Sequence, residues 1–327
     1  MQTTALFAYN PLHLIVARRL EEQLGSDQMT LVYTARVAAT LPALGIEAET
    51  IEIPDVSTSQ PLARRVRNTW RAFARLRGRR WAAVWSPNEL APVSRFLNAR
   101  TDGALVLYDE GFLYGAVEIE QALSRYRTRT LVRALATLQR PIRRFTSPNL
   151  ARLLTFSPDQ FGSRPFEVAS LTDFLGDLDE LVAGDADARP QTLLLTSPLT
   201  ENGNAARRGQ ELDLVQTLVE RNPGIDFVLK RHYREADDKY ASLRALENFE
   251  DFDEAHAALP IQVVPLRFAW VIGFHSSALL AFEQRGATEV LSLSNHVGTQ
   301  HARTFIAARP AFIRDVPEDF VLDGSPS

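Results

Sequence analysis

The chain has 327 residues, 45% hydrophobic and 23% charged, with a formal net charge of −4. That balance excludes disordered, collagen-like and fibrous chains, and it argues against a nucleic-acid partner. The absence of cysteine excludes disulfides, thiolate metal sites and cysteine nucleophiles, and a reducing, cytoplasmic location is expected. No basic segment precedes an apolar run at the start, so no signal peptide is expected. No apolar stretch reaches the roughly 20 residues of a membrane span.

Short apolar runs alternate with amphipathic stretches of helical length, which predicts an α/β fold. In the first half the predicted strands are Ala5–Tyr9, Thr30–Tyr33, Glu49–Ile53, Ala82–Trp85 and Ala104–Tyr108. Helices are predicted over Leu12–Leu24, Ala35–Leu44, Ala63–Arg77, Glu89–Ala99 and Val117–Leu138. Leu153–Phe156 and Phe166–Ala169 read as a closing strand and connection. The stretch Asp173–Pro190 is acidic and rich in small residues, which places a domain boundary there. The expected division is a first Rossmann-like domain over 1–170, a linker over 171–191 and a second Rossmann-like domain over 192–327.

The second half restarts the alternation with strand Thr192–Thr196 and helix Arg207–Glu220. Strand Asp226–Lys230, helix Ala236–Leu246, strand Ile261–Val264 and a short helix Leu266–Trp270 are predicted next. Strand Val271–Phe274, helix Ser276–Gln284, strand Glu289–Leu293 and a helix near Thr299–Ala308 close the series. The tail after Pro310 is expected to return to the first domain. Two Rossmann-like domains facing each other across a cleft are expected, with ligands outside the carboxyl ends of the strands.

Five strand-end segments carry polar chemistry. Tyr9-Asn10-Pro11-Leu12-His13 opens a helix whose free amides suit an anion, or is a simple cap. Asp109-Glu110-Gly111 supplies a candidate general base, or caps the next helix. Thr196-Ser197-Pro198 begins a loop suited to a phosphate or a sugar, or is only a loop. Lys230-Arg231-His232-Tyr233-Arg234 suits phosphate recognition and leaving-group protonation, or is a solvated basic turn. Only Lys230 and Lys239 are lysines among 36 basic residues, which singles out Lys230; Lys239 has no assigned role. His275-Ser276-Ser277 offers hydroxyls and helix amides, or an ordinary serine cap.

These segments in this order resemble the bacterial sialyltransferases and polysialyltransferases of GT-B type. That family has an acid-acid-Gly motif, a Lys-x-His-Pro motif and a Ser-Ser or Ser-Thr motif. It often opens with a Pro-Leu-Gln-like turn and restarts with a Gln-Pro-Leu-x-Glu-like loop. The resemblance implies inverting transfer of a sialic-acid-type sugar from a CMP-linked donor to a glycan or glycolipid hydroxyl, with no metal or other cofactor. It makes Asp109 the general base, with Glu110 beside it. His232 becomes a phosphate contact and candidate general acid. Lys230, Arg231, Ser276, Ser277, Ser197, Pro198, Asn10 and Gly111 line the donor side. The chain departs from the family at Tyr233, in the place of a proline, and at Arg267, in the place of a ribose-binding glutamate. A GT-B enzyme using another nucleotide sugar and a non-catalytic two-domain anion binder are the alternatives.

The segment Arg64–Trp81 is predicted to be largely helical, with Val66, Trp70, Phe73 and Leu76 near helical spacing. Basic amphipathic helices sit on anionic membranes, giving peripheral contact, or hold anionic glycans. The commoner pattern turns the apolar stripe into the core.

Overall fold

A computed structural model describes residues 2–56, 61–88, 91–108, 147–155, 158, 163–176, 187–197, 208–232, 235–236, 238–252, 261, 264, 266–274, 276–282, 289–298, 302–303, 305–306, 309 and 311–322. The chain divides into two compact units, Met1–Gly176 and Asp177–Ser327.

The first unit holds seven parallel strands: β1 (Thr4–Ala8), β2 (Met29–Thr34), β3 (Glu49–Ile53), β4 (Ala83–Ser86), β5 (Leu105–Tyr108), β6 (Leu150–Thr155) and β7 (Glu167–Ser170). Their spatial order is β3-β2-β1-β4-β5-β6-β7. All four residues of β5 are buried, as expected of an interior parallel strand. Helices α1 (Pro11–Leu24), α2 (Leu41–Leu44), α3 (Leu62–Leu76), α4 (Pro92–Asn98) and α5 (Leu171–Leu175) lie among these strands in sequence. Phe7, Val32, Val84, Leu97, Leu107 and Leu153 belong to one buried cluster. Buried Glu21 on α1 accepts the backbone N–H groups of Glu47 and Ala48 at 2.8 and 2.6 Å, which fixes the approach to β3.

The second unit holds β8 (Asp187–Leu195), β9 (Phe227–Lys230), β10 (Phe249–Asp251), β11 (Leu266–Gly273), β12 (Glu289–Ser292) and β13 (Ile313–Asp315), all parallel. Their order is β10-β9-β8-β11-β12-β13. The main helix is α6 (Arg208–Arg221). Each sheet is therefore doubly wound, with its order reversing beside β1 or β8.

Several expectations need correction. Residues 171–175 are helical and 187–191 are strand, so the expected linker is shorter. Residues 311–322 of the tail belong to the second unit: β13 pairs with β12, and the Asn222 amide holds Phe320 and Leu322. Residues 35–40 form a 3-10 helix rather than α-helix. The expected helix over 236–246 is turns and a 3-10 helix at Ala241–Ala245. The supposed helix Leu266–Trp270 is the first half of β11. Phe268 and Trp270 there are buried, so the run is an interior strand rather than one face of a helix. The α3 stripe splits: Leu76 is buried, whereas Val66 and Trp70 are exposed. The predicted helix 117–138 lies outside the described residues.

Candidate functional site

In the second unit the order reverses between β8 and β11, and their carboxyl ends flank the crevice where such sheets hold ligands. The strand ends are level, because Leu195 is in register with both Lys230 and Gly273. A Cβ on Gly273 would lie 3.2 Å from Leu195 Cβ and from the Leu195 carbonyl oxygen. Glycine thus lets the two strands end close together. Thr196 and Ser197 follow β8 and are buried, Arg231 and His232 follow β9, and Ser276 lies just past β11.

The turn bearing His232 is fastened from below. Glu235 Oε2 accepts the His232 backbone N–H at 2.8 Å and the Thr196 hydroxyl. The Thr196 oxygen also accepts the His232 N–H, at 3.1 Å. On its other side, Glu235 Oε1 receives Lys239 Nζ at 2.6 Å and the Tyr240 hydroxyl at 3.1 Å. Lys239 also donates to Glu211 Oε2 at 2.7 Å, and Tyr240 to Glu211 Oε1 at 3.2 Å. Glu211 sits in the first turn of α6. All these side chains belong to buried residues. Two carboxylates therefore share one ammonium, with hydroxyls filling the remaining sites.

The electrostatics follow from that arrangement. Burial raises the Glu211 carboxyl from 4.5 to about 7, with Lys239 opposing the rise. Burial alone would lower the Lys239 pKa, but hydrogen bonds to Glu211 and Glu235 outweigh it and raise the value. The Tyr240 hydroxyl is pushed up by burial and then by both carboxylates. Lys230 lies 4.5 Å from the ring centre of buried Phe252, and burial lowers its ammonium to about 8.

The Arg231 guanidinium donates to the Ala236 carbonyl at 3.2 Å, back onto its own loop. Ser276 Oγ accepts the Ala278 N–H at 3.2 Å, capping the 3-10 helix Ser277–Phe282. The backbone of Arg267 falls near the amino-terminal end of β11. Asp109, Glu110, Gly111 and Pro198, and the side chain of Ser277, lie outside the described residues. Among the described residues no cluster of three or more acidic or histidine side chains could hold a metal.

In the first unit the order reverses between β1 and β4. Asn88 Nδ2, in the loop after β4, donates to the Tyr9 hydroxyl after β1 at 3.1 Å. Asn10 caps α1, its Oδ1 accepting the His13 N–H at 3.1 Å. His13 is fully buried, and its ring stands edge-on to Tyr9 and to Tyr108, the last residue of β5. Its Nδ1 accepts the Tyr9 N–H at 3.3 Å, which leaves the proton on Nε2. Among the described residues that buried Nε2 has no hydrogen-bond partner, and burial holds the imidazole well below 6.5. Asp109 follows Tyr108 directly in sequence.

Sequence reasoning missed Glu211, Glu235 and Tyr240, and left Lys239 unassigned. One signal was legible: Glu235 and Lys239 are four apart, and Glu235 is three past His232.

No protein-family model matches the sequence, and no curated protein sequence matches it. Solved structures do. A point variant of Os79 from O. sativa, in complex with UDP, has a TM-score of 0.55 at 14% identity, over 99% of this chain and 87% of that one. The fold is of the GT-B type. A Listeria monocytogenes protein assigned as a UDP-N-acetylglucosamine 2-epimerase has a TM-score of 0.55 at 13% identity, over 90% and 79% of the two chains. A 2,6-sialyltransferase from Vibrionaceae Photobacterium sp., in complex with CMP and lactose, has a TM-score of 0.51 at 13% identity, over 96% and 78%. Transferases and an epimerase share this architecture, so the reaction must be argued from the site.

Proposed function

We propose that the protein is a glycosyltransferase that moves a sialic-acid-type sugar from a CMP-linked donor to the hydroxyl of a glycan or glycolipid in the cytoplasm, with inversion. The observation that carries this is the group at the ends of β8, β9 and β11. Lys230, Arg231 and the fastened His232 turn stand beside Thr196, Ser197 and Ser276. Cations, a histidine and hydroxyls at a switch point suit a nucleotide phosphate, whose negative charge grows as the sugar departs. Lys230 and Arg231 attract the phosphate, and His232 donates to it or protonates the departing oxygen. Asp109 takes the acceptor proton, with Glu110 and Gly111 shaping the loop. Ser277, Pro198 and Asn10 are assigned to the donor side by the order of the motifs alone. No metal takes part.

A CMP-linked donor is supported by the order of the acid-acid-Gly, Lys-x-His and Ser-Ser motifs, and by the CMP in the Photobacterium structure. A uridine-linked donor is the second reading, supported by the UDP in the Os79 structure.

Nucleotide release from CMP-sialic acid and from a panel of UDP-sugars, with and without glycan acceptors, tests both. Acceptor-stimulated CMP release is expected. UDP release with no CMP release would transfer the assignment to the second reading. Release of neither nucleotide would remove the transferase reading.

A further inference from the structure

The helix α3 carries one broad apolar stripe, and only part of it is used for folding. Asn68, Ala72 and Leu76 are buried, and Asn68 Nδ2 donates to the Asp55 carbonyl at 2.7 Å. Phe73 stacks on Phe96 with ring centres 4.3 Å apart. Leu62, Val66 and Trp70 instead stand in solvent, at 57%, 48% and 70% exposure. Their i, i+4, i+8 spacing places them in one row along two turns of the helix. Trp70 meets Phe73 edge-on at 6.2 Å, so the indole is steadied at its base while most of it stays exposed.

Charge selects what covers this row. The 15 residues of α3 contain Arg64, Arg65, Arg67, Arg71 and Arg75 and no acid. Arg64, Arg67 and Arg71 are exposed. Arg79 and Arg80, just past the helix, are neutralised by Glu49 and Asp102. Among the described residues Arg64, Arg65, Arg67 and Arg71 have no such carboxylate. Arg67 and Arg71 form a second row beside the apolar one. The chain as a whole carries −4, so this basic face is a local feature. A soluble polyanion would use the arginines and leave the apolar row wet. A neutral apolar partner would leave the arginines unmatched.

We propose that the α3 face formed by Leu62, Val66, Trp70, Arg67 and Arg71 docks the protein on an anionic lipid bilayer. The apolar row enters the boundary between headgroups and acyl chains, and the arginines meet lipid phosphates. Trp70 is amphipathic and suits that boundary. No described helix is long and apolar enough to cross a membrane, so the contact is peripheral.

The test is flotation of the full chain with vesicles of phosphatidylglycerol and phosphatidylcholine, against vesicles of phosphatidylcholine alone. Binding to the anionic vesicles at least tenfold stronger, and falling steeply with added salt, is expected. Trp70→Ser and the double variant Arg67→Glu, Arg71→Glu should each reduce it tenfold or more. All three positions are exposed, so the melting temperature should not change, and circular dichroism checks this. Equal binding to both vesicle types, or no binding to either, overturns the proposal. So does anionic binding that the variants leave intact. Concentration-dependent dimerisation lost in Trp70→Ser, without vesicle binding, would give the face to a second copy of the chain. Binding to a soluble acidic glycan without vesicle binding would give it to that ligand instead.

Discussion

Glu235 Oε2 accepts the backbone N–H of His232 at 2.8 Å, so one buried carboxylate fixes the turn from which the histidine is presented. The same oxygen receives the Thr196 hydroxyl, which ties the end of β8 to the end of β9. Glu235→Gln keeps the shape but replaces one acceptor oxygen with a donor nitrogen, which must then face either Lys239 or the His232 turn. A small displacement of a reacting group costs on the order of a hundredfold in rate. Glu235→Gln should therefore lower kcat by roughly tenfold to a hundredfold, with donor KM changed less. Steady-state nucleotide release checks this, and unchanged kcat would detach the network from the site.

Glu211 should leave a signature in stability. Its folded carboxyl titrates at about 7 against an ordinary 4.5, because it is buried. As pH rises across that interval the unfolded chain releases this proton while the folded chain keeps it. The contribution of this group to stability therefore falls between about pH 4.5 and 7 and is flat above. The fall is on the order of 3 kcal/mol, at ~1.4 kcal/mol per pH unit. Glu211→Gln should flatten that part of the profile, read by chemical denaturation at several pH values. An unchanged slope would contradict a protonated Glu211.

His13 acts in the opposite sense. Burial holds its imidazole well below 6.5, and among the described residues Nε2 has no partner to stabilise a charge. Below pH 6.5 the unfolded chain binds a proton that the folded chain refuses. Stability from this group is therefore complete above 6.5 and is lost as pH falls toward the folded value, at up to ~1.4 kcal/mol per pH unit. His13→Gln retains an acceptor for the Tyr9 N–H and cannot titrate. Its profile should be shallower than that of the wild type below pH 6.5, and equal slopes would exclude His13 as the cause.

Lys230 predicts a limit on donor binding. Partial burial lowers its ammonium to about 8. Above that pH it loses the charge that attracts phosphate, so nucleotide affinity should decline by up to about tenfold per pH unit. Lys230→Gln should bind more weakly at pH 7 and show no such decline. Calorimetric titration with CMP at pH 7 and 9 checks it; parallel curves for the two proteins would remove Lys230 from the phosphate site.

The doubly wound sheets were legible because buried parallel strands such as Leu105–Tyr108 and Phe227–Lys230 read as short apolar runs between helical patterns. β10 was missed because only Phe249 of Phe249–Asp251 is buried, leaving almost no apolar signal. The first half of β11 was misread because Pro265 and Arg267 interrupt a run that is otherwise apolar. The restart at Thr192 overlooked residues 187–191, which lack an apolar run and pair with β11 at Asp187, Ala188 and Arg189. That Lys230, His232 and Ser276 stand at strand ends was visible in the sequence. Their support was not. Glu211 lies 28 residues from Lys239, and only the sheet brings the two to 2.7 Å.

In the proposed function the acid after β5 drives sugar transfer from a CMP-linked donor. The most direct measurement is formation of sialylated acceptor from CMP-sialic acid by the wild type, Asp109→Asn and Glu110→Gln, with the anomeric configuration of the product read by NMR. The wild type should form product of inverted configuration. Asp109→Asn should lose roughly 10²–10⁴ in transfer rate, and Glu110→Gln much less. Normal transfer by Asp109→Asn with an inactive Glu110→Gln would reverse the two roles. A wild-type protein that forms no glycosylated product, or forms one that both variants make at the normal rate, would contradict the account.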